Sequence, residues 1–285
     1  MPSLRARAAR MVMFHYPFPR GQGRIVDRTR LGRLQFSEDR LFVRTLDGFS
    51  MDVAPNDHIG RHLYLTGQFD RTIVEVLLRF ARPDDRILDI GGNVGYYACA
   101  LLHALPQCCV VSVEPQESVH AILAANVQRV GFGRGSTIRA AVSGTAGTGS
   151  MLHREGNTGA SRLSSATTGA ERVEVITGEM LMQRSGLDRL DLVKIDVEGH
   201  EEAVLMSLRP VLEQWRPRAI VFEHPDDLAR CNPGVVGLFD ELGYSLLGIH
   251  KRLLHLDFIP MAFLCDGKLR IHDYVAVPDE RVGCT

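Results

Sequence analysis

The chain has 285 residues, of which 45% are apolar and 24% are charged, and its net charge is -1. This size and balance suit one or two globular domains and exclude a disordered or fibrous protein. Because 33 basic residues are matched by 34 acidic ones, no broad cationic field is available to hold a nucleic acid backbone. We therefore expect no nucleic-acid partner.

The amino-terminal part of the chain gives two signals. The first 24 residues contain several arginines, no acids and a Pro- and Gly-containing end, so we predict a poorly ordered start. Further on, Asp47 and Gly48 lie between two short alternating runs within residues 41–53, and this pattern predicts a β-hairpin. The hairpin then precedes the main domain.

A helix is predicted next, because the apolar residues from Arg71 to Phe80 recur at helical spacing. Asp70 stands where a residue that caps the helix start is expected. We place the boundary here, with residues 1–69 as an N-terminal extension that contains the hairpin and residues 70–285 as the main domain.

Beyond this helix, short apolar runs alternate with helical patterns. Strands this apolar must be covered on both faces, so the alternation predicts an α/β fold with a doubly wound, mostly parallel sheet that ends in an antiparallel pair. The Gly- and Ser-rich segment 143–169 predicts a mobile surface loop. The predicted strands are 87–90, 109–113, 137–142, 173–176, 192–195, 219–222, 244–249 and 271–277.

A glycine-rich turn, DIGGNVGYY, joins the first of these strands to its helix. Gly91, Gly92 and Gly95 let a ligand approach the backbone closely, and the free N–H groups of a helix start can receive an anionic group. The turn lacks the G-x-G-x-x-G pattern of dinucleotide sites, and Asp89 could face an ammonium group directly or through water. Glu114 ends the second strand, where this fold places an acid against ribose hydroxyls. A nucleoside-type ligand is predicted.

Two later strands also end in polar side chains. Asp196 and Glu198 follow the strand that contains Lys194, and Glu223 and His224 follow the next one. Because the carboxyl ends of parallel strands line one crevice, we expect these side chains beside the glycine-rich turn. They could act as a general base, orient a hydroxyl or hold a divalent cation, and the residues alone leave these three roles open. Lys194, inside the strand, is expected either to extend its ammonium group to the surface or to pair with an acid.

The runs DIGGNVGYY, VEP, AAVS, VKIDVEGHE and VFEH, in this order over roughly residues 40–250, resemble the FkbM-type S-adenosylmethionine-dependent methyltransferases. The resemblance implies a seven-stranded Rossmann-like sheet with one late antiparallel strand. It implies that the loop from Asp89 to Gly95, with Asn93, holds the methionine end of the cofactor. Glu114 would then bind the ribose and the turn at Ala141 the adenine side. It further implies O-methylation of a sugar or other secondary-metabolite hydroxyl.

Three alternatives stay open at this point. One is an NAD(P)-dependent oxidoreductase on the same kind of sheet, and another is a scaffold that binds the cofactor without turnover. The third is a metal-assisted methyltransferase in which Asp196, Glu223 and His224 hold a divalent ion. For the base that removes the hydroxyl proton, the prediction favours Asp196 or Glu198, with Glu223 and His224 next.

Cysteine usage and hydropathy bear on location. The six cysteines show no CxxC spacing, so reduced thiols in a cytoplasmic protein are expected. No apolar run reaches the length of about 18 residues that a membrane span requires. The oligomeric state cannot be read from these patterns.

Overall fold

The computed structural model describes residues 1–152, 156–157, 159, 161–164, 171–224, 228, 233–264 and 269–280. Its α-helices are α1 (Leu4–Phe14), α2 (Gln22–Arg28), α3 (His58–Thr66), α4 (Arg71–Phe80), α5 (Tyr96–Ala104), α6 (Glu117–Gly131), α7 (Gly178–Ser185), α8 (Glu201–Trp215) and α9 (Pro233–Glu241). Its strands are β1 (Leu41–Arg44), β2 (Ser50–Val53), β3 (Arg86–Ile90), β4 (Cys109–Val113), β5 (Gly135–Ile138), β6 (Ala141–Val142), β7 (Gly147–Leu152), β8 (Arg162–Ser164), β9 (Glu171–Ile176), β10 (Leu192–Ile195), β11 (Ala219–Glu223), β12 (Tyr244–Lys251), β13 (Leu256–Pro260) and β14 (Asp273–Pro278).

The main sheet has eight strands in the order β13-β12-β14-β11-β10-β3-β4-β5. The run from β11 to β5 is parallel, and β14 pairs antiparallel with both β11 and β12. The predicted doubly wound sheet with a late antiparallel pair is therefore confirmed. The sheet has one strand more than the seven expected, because β13 adds to β12 at the edge. Its short run ends in Pro260, which a sheet tolerates at an edge.

Both faces of the main sheet are buried, as its continuous apolar strands require. On β3, Ile87 packs into a core with α4, α5 and α6, whereas Leu88 and Ile90 pack into a second core with α7, α8 and α9. Successive strand residues point to opposite faces, so a buried strand needs apolar residues at both. The helices that pack on the two faces hold the strands in position, and the candidate site lies at the strand ends.

The N-terminal extension is ordered, and the prediction of a poorly ordered start was wrong. Helix α1 packs on α3, and buried residues such as Ala6 and Met13 belong to the same apolar core as α4 and α5. The Arg10 guanidinium donates to the carbonyls of Arg44 and Tyr64. The arginines of this segment therefore include one that cross-links elements. Because the core is shared, the boundary at residue 69 stays a prediction.

The predicted hairpin is confirmed as β1 and β2, which pair antiparallel around a turn that contains Asp47 and Gly48. The Asp47 carboxylate accepts a hydrogen bond of 2.6 Å from the Tyr96 hydroxyl and lies 3.0 Å from the Arg71 guanidinium. These contacts attach the hairpin to the starts of α4 and α5.

A second, four-stranded sheet has the order β6-β9-β7-β8. Its β7 and β8 lie within the segment 143–169 that we expected to be a mobile loop, so that prediction was wrong for the residues in these strands. The cause is a small apolar cluster, in which Met151 packs with Ala141 and Val175. The single strand predicted over 137–142 is divided instead between the two sheets. Residues 153–155, 158, 160 and 165–170 lie outside the described residues.

Within the described parts of the chain, no helix combines the length and the apolar character needed to cross a membrane.

Candidate active site

A cavity of about 250 Å³ lies at the carboxyl ends of β3, β4, β10 and β11. The first residue of the antiparallel β14, Asp273, lies at the same edge and also lines the cavity. Residues of α3, α4 and the small sheet also line the cavity, among them His58, Ile73 and Met151. The cavity is therefore at the edge where an open α/β sheet binds its ligands.

The glycine-rich turn after β3 forms one wall, and its shape depends on Gly91. This residue has a φ of +81°, and a Cβ atom there would lie 1.8 Å from the carbonyl oxygen of Asp196. The amides of Gly91 and Gly92 both donate to the Val113 carbonyl at 2.9 Å. The turn is thus locked between β4 and the loop after β10. Gly95 starts α5 with a φ of +88°.

Glu114 follows β4 and lines the cavity, although its side chain is buried. Its carboxylate accepts hydrogen bonds from the amides of Asn93 (3.2 Å) and Gln116 (3.0 Å). Burial raises the pKa of Glu114 to about 7, and these hydrogen bonds oppose the increase. The geometry holds the carboxylate beside the glycine-rich turn. Asn93 and Ala141, two further residues predicted for the cofactor, also line the cavity.

Asp89 has a different position from the one expected. It is fully buried behind the turn and is not among the described residues that line the cavity. Its carboxylate accepts a hydrogen bond from the Ser112 hydroxyl (3.0 Å) and lies 3.5 Å from the Lys194 ammonium. Burial raises the pKa of Asp89, although Lys194 opposes the increase. Asp89 therefore contacts Lys194, which lines the cavity, rather than the cavity itself.

Lys194 connects the two sides of the site and pairs with acids, as the sequence suggested. Its ammonium lies 3.3 Å from the Asp196 carboxylate, donates to the Gly91 carbonyl at 3.4 Å and lies 4.3 Å from the centre of the Tyr97 ring. Burial lowers the pKa of Lys194, but Asp196 and Asp89 more than offset this, and the net change is upward. The ammonium therefore stays charged against the floor of the cavity.

Carboxylates dominate the other side. Asp196, Glu198, Glu223 and Asp273 all line it, and Glu223 pairs with Asp273 in the strand register. The Glu223 side chain is open to the cavity. Partial burial, together with the negative charges of Asp196, Asp273 and Glu198, raises the pKa of Glu223 to about 8. The Lys251 ammonium opposes this increase. This group therefore changes its protonation near neutral pH.

The loop that carries Asp196 and Glu198 is tightly wound. Glu198 and Gly199 both have a positive φ, of +50° and +85°. The buried Glu201 accepts hydrogen bonds from the amides of Val197 (3.2 Å) and Gly199 (3.0 Å). Glu201 thus positions the loop, a role that sequence reasoning missed. An acid in the first turn of a helix often accepts hydrogen bonds from backbone amides before the helix, so the signal was present.

His224 was predicted to share the site with Glu223, and the structure separates them. His224 is buried and is not among the described residues that line the cavity, and its amide donates to the His272 carbonyl at 2.7 Å. Among the described residues, the donor atoms of Asp196, Glu223 and His224 do not all lie within 4.8 Å of one another. The proposed metal-ligand set is therefore not assembled.

Sequence reasoning missed a charged pair next to Glu223. Asp70 has the N-cap position of α4, but its side chain makes no capping hydrogen bond, so its predicted capping role was wrong. The Lys251 ammonium instead lies 2.5 Å from the Asp70 carboxylate and 2.6 Å from that of Asp273. Asp273 could have been found, because a strand antiparallel to its neighbours starts where they end. The partner Lys251 is far away in sequence and carries no such signal.

The comparisons with known proteins agree with this architecture. Residues 89–246 match the model of the methyltransferase FkbM domain. Over 158 residues, the chain is 27% identical to the hexuronic acid methyltransferase AglP of Haloferax volcanii, an alignment that covers 55% of this chain and 63% of AglP. The chain thus spans less than two thirds of that relative.

Solved structures give weaker similarities. The precorrin-6y C5,15-methyltransferase of Geobacter metallireducens is 13% identical, with a TM-score of 0.39 over 73% of this chain and 87% of that one. The O-methyltransferase TomG of Streptomyces achromogenes, solved in complex with SAM, is 16% identical, with a TM-score of 0.43 over 78% of this chain and 87% of TomG. At these scores the fold assignment rests on the strand order of the chain itself.

Proposed function

The chain belongs to the FkbM methyltransferase family, and from this premise we propose that it transfers a methyl group from S-adenosylmethionine to a hydroxyl of a sugar or related secondary metabolite. One observation carries the proposal. A single cavity joins the glycine-rich turn and Glu114 on one side to the carboxylates of Asp196 and Glu223 on the other. Such a cavity offers one side to a nucleoside and the other to a polar acceptor.

The residues on the turn side fit the cofactor. The Glu114 carboxylate, held by two backbone amides, would accept hydrogen bonds from the ribose hydroxyls. Val113, Ala141 and Met151 offer an apolar wall for the adenine. The turn from Gly91 to Gly95, in which a side chain at 91 would collide with Asp196, would hold the methionine end. When bound, S-adenosylmethionine supplies a methyl group on a positively charged sulfur.

The acidic side sets the class of acceptor. Asp70, Asp196, Glu198, Glu223 and Asp273 line it, against the two ammonium groups of Lys194 and Lys251. Carboxylates accept hydrogen bonds from neutral hydroxyls and repel an anion. We therefore propose a neutral, polyhydroxylated acceptor, in contrast to the hexuronic acid in the name of AglP.

The reaction needs alignment above all. Orienting two substrates can lower the activation free energy by about 7–11 kcal/mol. A general base adds a smaller effect, an increase in rate by a factor of roughly 10²–10⁴. With S-adenosylmethionine held by the turn, the acceptor oxygen would form a bond to the methyl carbon as the carbon–sulfur bond breaks, and S-adenosylhomocysteine would leave. The hydroxyl proton passes to a carboxylate, for which Glu223 is the best candidate because its pKa is about 8. Asp196, held by Lys194, and Glu198 would orient the hydroxyl.

The test pairs acceptors that differ at one carbon, which carries a primary hydroxyl in the neutral sugar and a carboxylate in the uronic acid. Purified protein is incubated with S-adenosylmethionine and either neutral glycosides or the corresponding uronic acid glycosides, and S-adenosylhomocysteine and methylated product are measured. We expect transfer to neutral hydroxyls at a rate at least about tenfold higher, a difference of 1.4 kcal/mol in the barrier. Cofactor binding with no transfer to any acceptor would favour a scaffold, and tight binding of NAD(P) instead would favour an oxidoreductase.

The described cysteines, Cys99, Cys108 and Cys109, are free thiols. This state suits a reducing compartment, and we propose a cytoplasmic location on that basis.

A further inference from the structure

We propose that Asp27, His58 and His62 form a binding site for a zinc-class divalent ion, which joins the N-terminal extension to the wall of the cavity. One carboxylate oxygen and two imidazole nitrogens lie within 4.8 Å of one another here. Two imidazoles and a carboxylate are a common donor set for Zn²⁺. The group lies outside the motifs of the glycine-rich turn and the acidic strand ends.

The distances suit a single ion. The Asp27 Oδ1 atom lies 2.8 Å from Nε2 of His62 and 3.9 Å from Nδ1 of His58. Ligands at about 2.0–2.1 Å around a tetrahedral Zn²⁺ are roughly 3.3 Å from one another. The two distances lie on either side of this value. An ion would replace the proton between Asp27 and His62 and draw in His58, which is too far from the carboxylate for a hydrogen bond.

The two histidines are held in place before any ion binds. They are one turn apart on α3, so they lie on the same face of the helix, and their ring centres are 4.4 Å apart. The Phe69 ring packs edge-on against both imidazoles. Arg61, between them in sequence, donates hydrogen bonds to three carbonyls at 2.7–3.1 Å and fixes the helix. Binding of an ion would therefore require little further ordering of these side chains.

The metal site is open to solvent at Asp27 and borders the cavity at His58. The Asp27 side chain is 48% exposed, which gives an ion a path from solvent, whereas that of His62 is only 7% exposed. His58 lines the cavity. Three protein ligands leave at least one coordination position for water. The ion would thus fasten α2 to α3 and fix the position of an imidazole in the cavity wall.

The experiment measures metal binding by the full chain without an affinity tag. Zn²⁺ is titrated by calorimetry, and Co²⁺ is used as a probe because its visible absorption reports tetrahedral nitrogen and oxygen ligands. We expect one equivalent of Zn²⁺ and an increase in Tm with Zn²⁺ concentration. Asp27→Asn should weaken Zn²⁺ binding about tenfold, and His62→Gln or His58→Gln by about tenfold or more with loss of the Co²⁺ absorption.

A second histidine and aspartate group provides the control. His250 and His255 lie 3.9 and 3.6 Å from the Asp257 carboxylate, but they do not meet the three-donor geometry. Asp257→Asn should leave Zn²⁺ affinity unchanged. The proposal is overturned if the native chain binds no equivalent, or if Asp27→Asn binds as tightly as the native chain. Because Asp27 is exposed, this variant gives an answer even if His62→Gln unfolds. Neither outcome depends on methyl transfer.

Discussion

The two sides of the cavity are held together in different ways. On the β3 and β4 side, the wall is mostly backbone: a turn shaped by Gly91, amides that donate to the Val113 carbonyl, and one carboxylate, Glu114. On the β10, β11 and β14 side, the wall is made of charged side chains held by Lys194 and Lys251. Glu114 and Glu223 follow strands three positions apart in the sheet, a separation of roughly 14 Å at about 4.8 Å per strand.

The difference suggests separate roles for the two sides, with cofactor binding on the β3 and β4 side and acceptor binding on the other. Backbone groups keep their positions when a side chain is exchanged, which suits the binding of a constant cofactor. A wall of side chains can change its charge and its contacts by single substitutions. The comparison predicts that variants on the first side affect cofactor affinity, whereas variants on the second affect turnover and its pH dependence.

The largest effect is expected from Gly91→Ala. The new Cβ atom would lie 1.8 Å from the Asp196 carbonyl oxygen, and the φ of +81° disfavours alanine. We expect no measurable binding of S-adenosylhomocysteine by calorimetry. Gly144→Ala, where a Cβ would meet nothing within 4 Å, is the control and should bind normally. Near-native affinity in Gly91→Ala would contradict the closed arrangement of the two loops.

Glu223→Gln should reduce kcat about 100-fold while cofactor affinity stays the same. Because the pKa of Glu223 is raised to about 8, the carboxyl is protonated below this pH and cannot accept a proton. In the native chain kcat should therefore rise as the pH increases through about 8, and in the variant this rise should vanish. Asp240→Asn, an exposed change outside the cavity, is the control. An unchanged pH profile in Glu223→Gln would assign the base elsewhere.

Glu114→Gln should weaken cofactor binding about tenfold, or 1.4 kcal/mol, because the amide offers the ribose a poorer acceptor. Turnover at saturating cofactor should change little. Glu117→Gln, three residues further on and exposed, should have no effect on either quantity. A variant with native affinity and reduced kcat would show that the two sides are not divided as we describe.

Lys251→Met should have the smallest effect and act through the pH profile. The Lys251 ammonium opposes the increase in the pKa of Glu223, so its removal should raise that pKa further. The rise of kcat should then move to higher pH, with loss of activity near pH 7 and recovery in alkali. Lys251→Arg keeps the charge and should restore the native profile, which a purely structural role would not explain.

The same division decides what the sequence could predict. The glycine-rich turn, Glu114 and the two acidic strand ends belong to short runs whose strand–turn–helix pattern is local, and the structure brings most of them to one cavity. The exceptions are Asp89 and His224, which follow the same pattern but are buried and do not line the cavity. His58 lines the cavity, and Lys251 holds Asp70 and Asp273 beside it, through contacts between distant segments that no local pattern reports.

The fold shows the same limit. The alternating apolar runs predicted the main sheet because both its faces are buried. In the small sheet, β7 and β8 escaped prediction, since they contain glycine or serine and are stabilised by a few apolar residues around Met151. Helix α1 was missed because its arginines suggested solvation, although Ala6 and Met13 on its inner face are buried.

The close approach of Gly91 to the Asp196 carbonyl couples the backbone paths of two loops. Any insertion or substitution in residues 197–199 that displaces this carbonyl changes the space available at position 91. New acceptor specificities should therefore arise by exchange of the side chains on the later strands while the backbone path of the 196–200 loop is retained, so that the two loops are inherited as a pair.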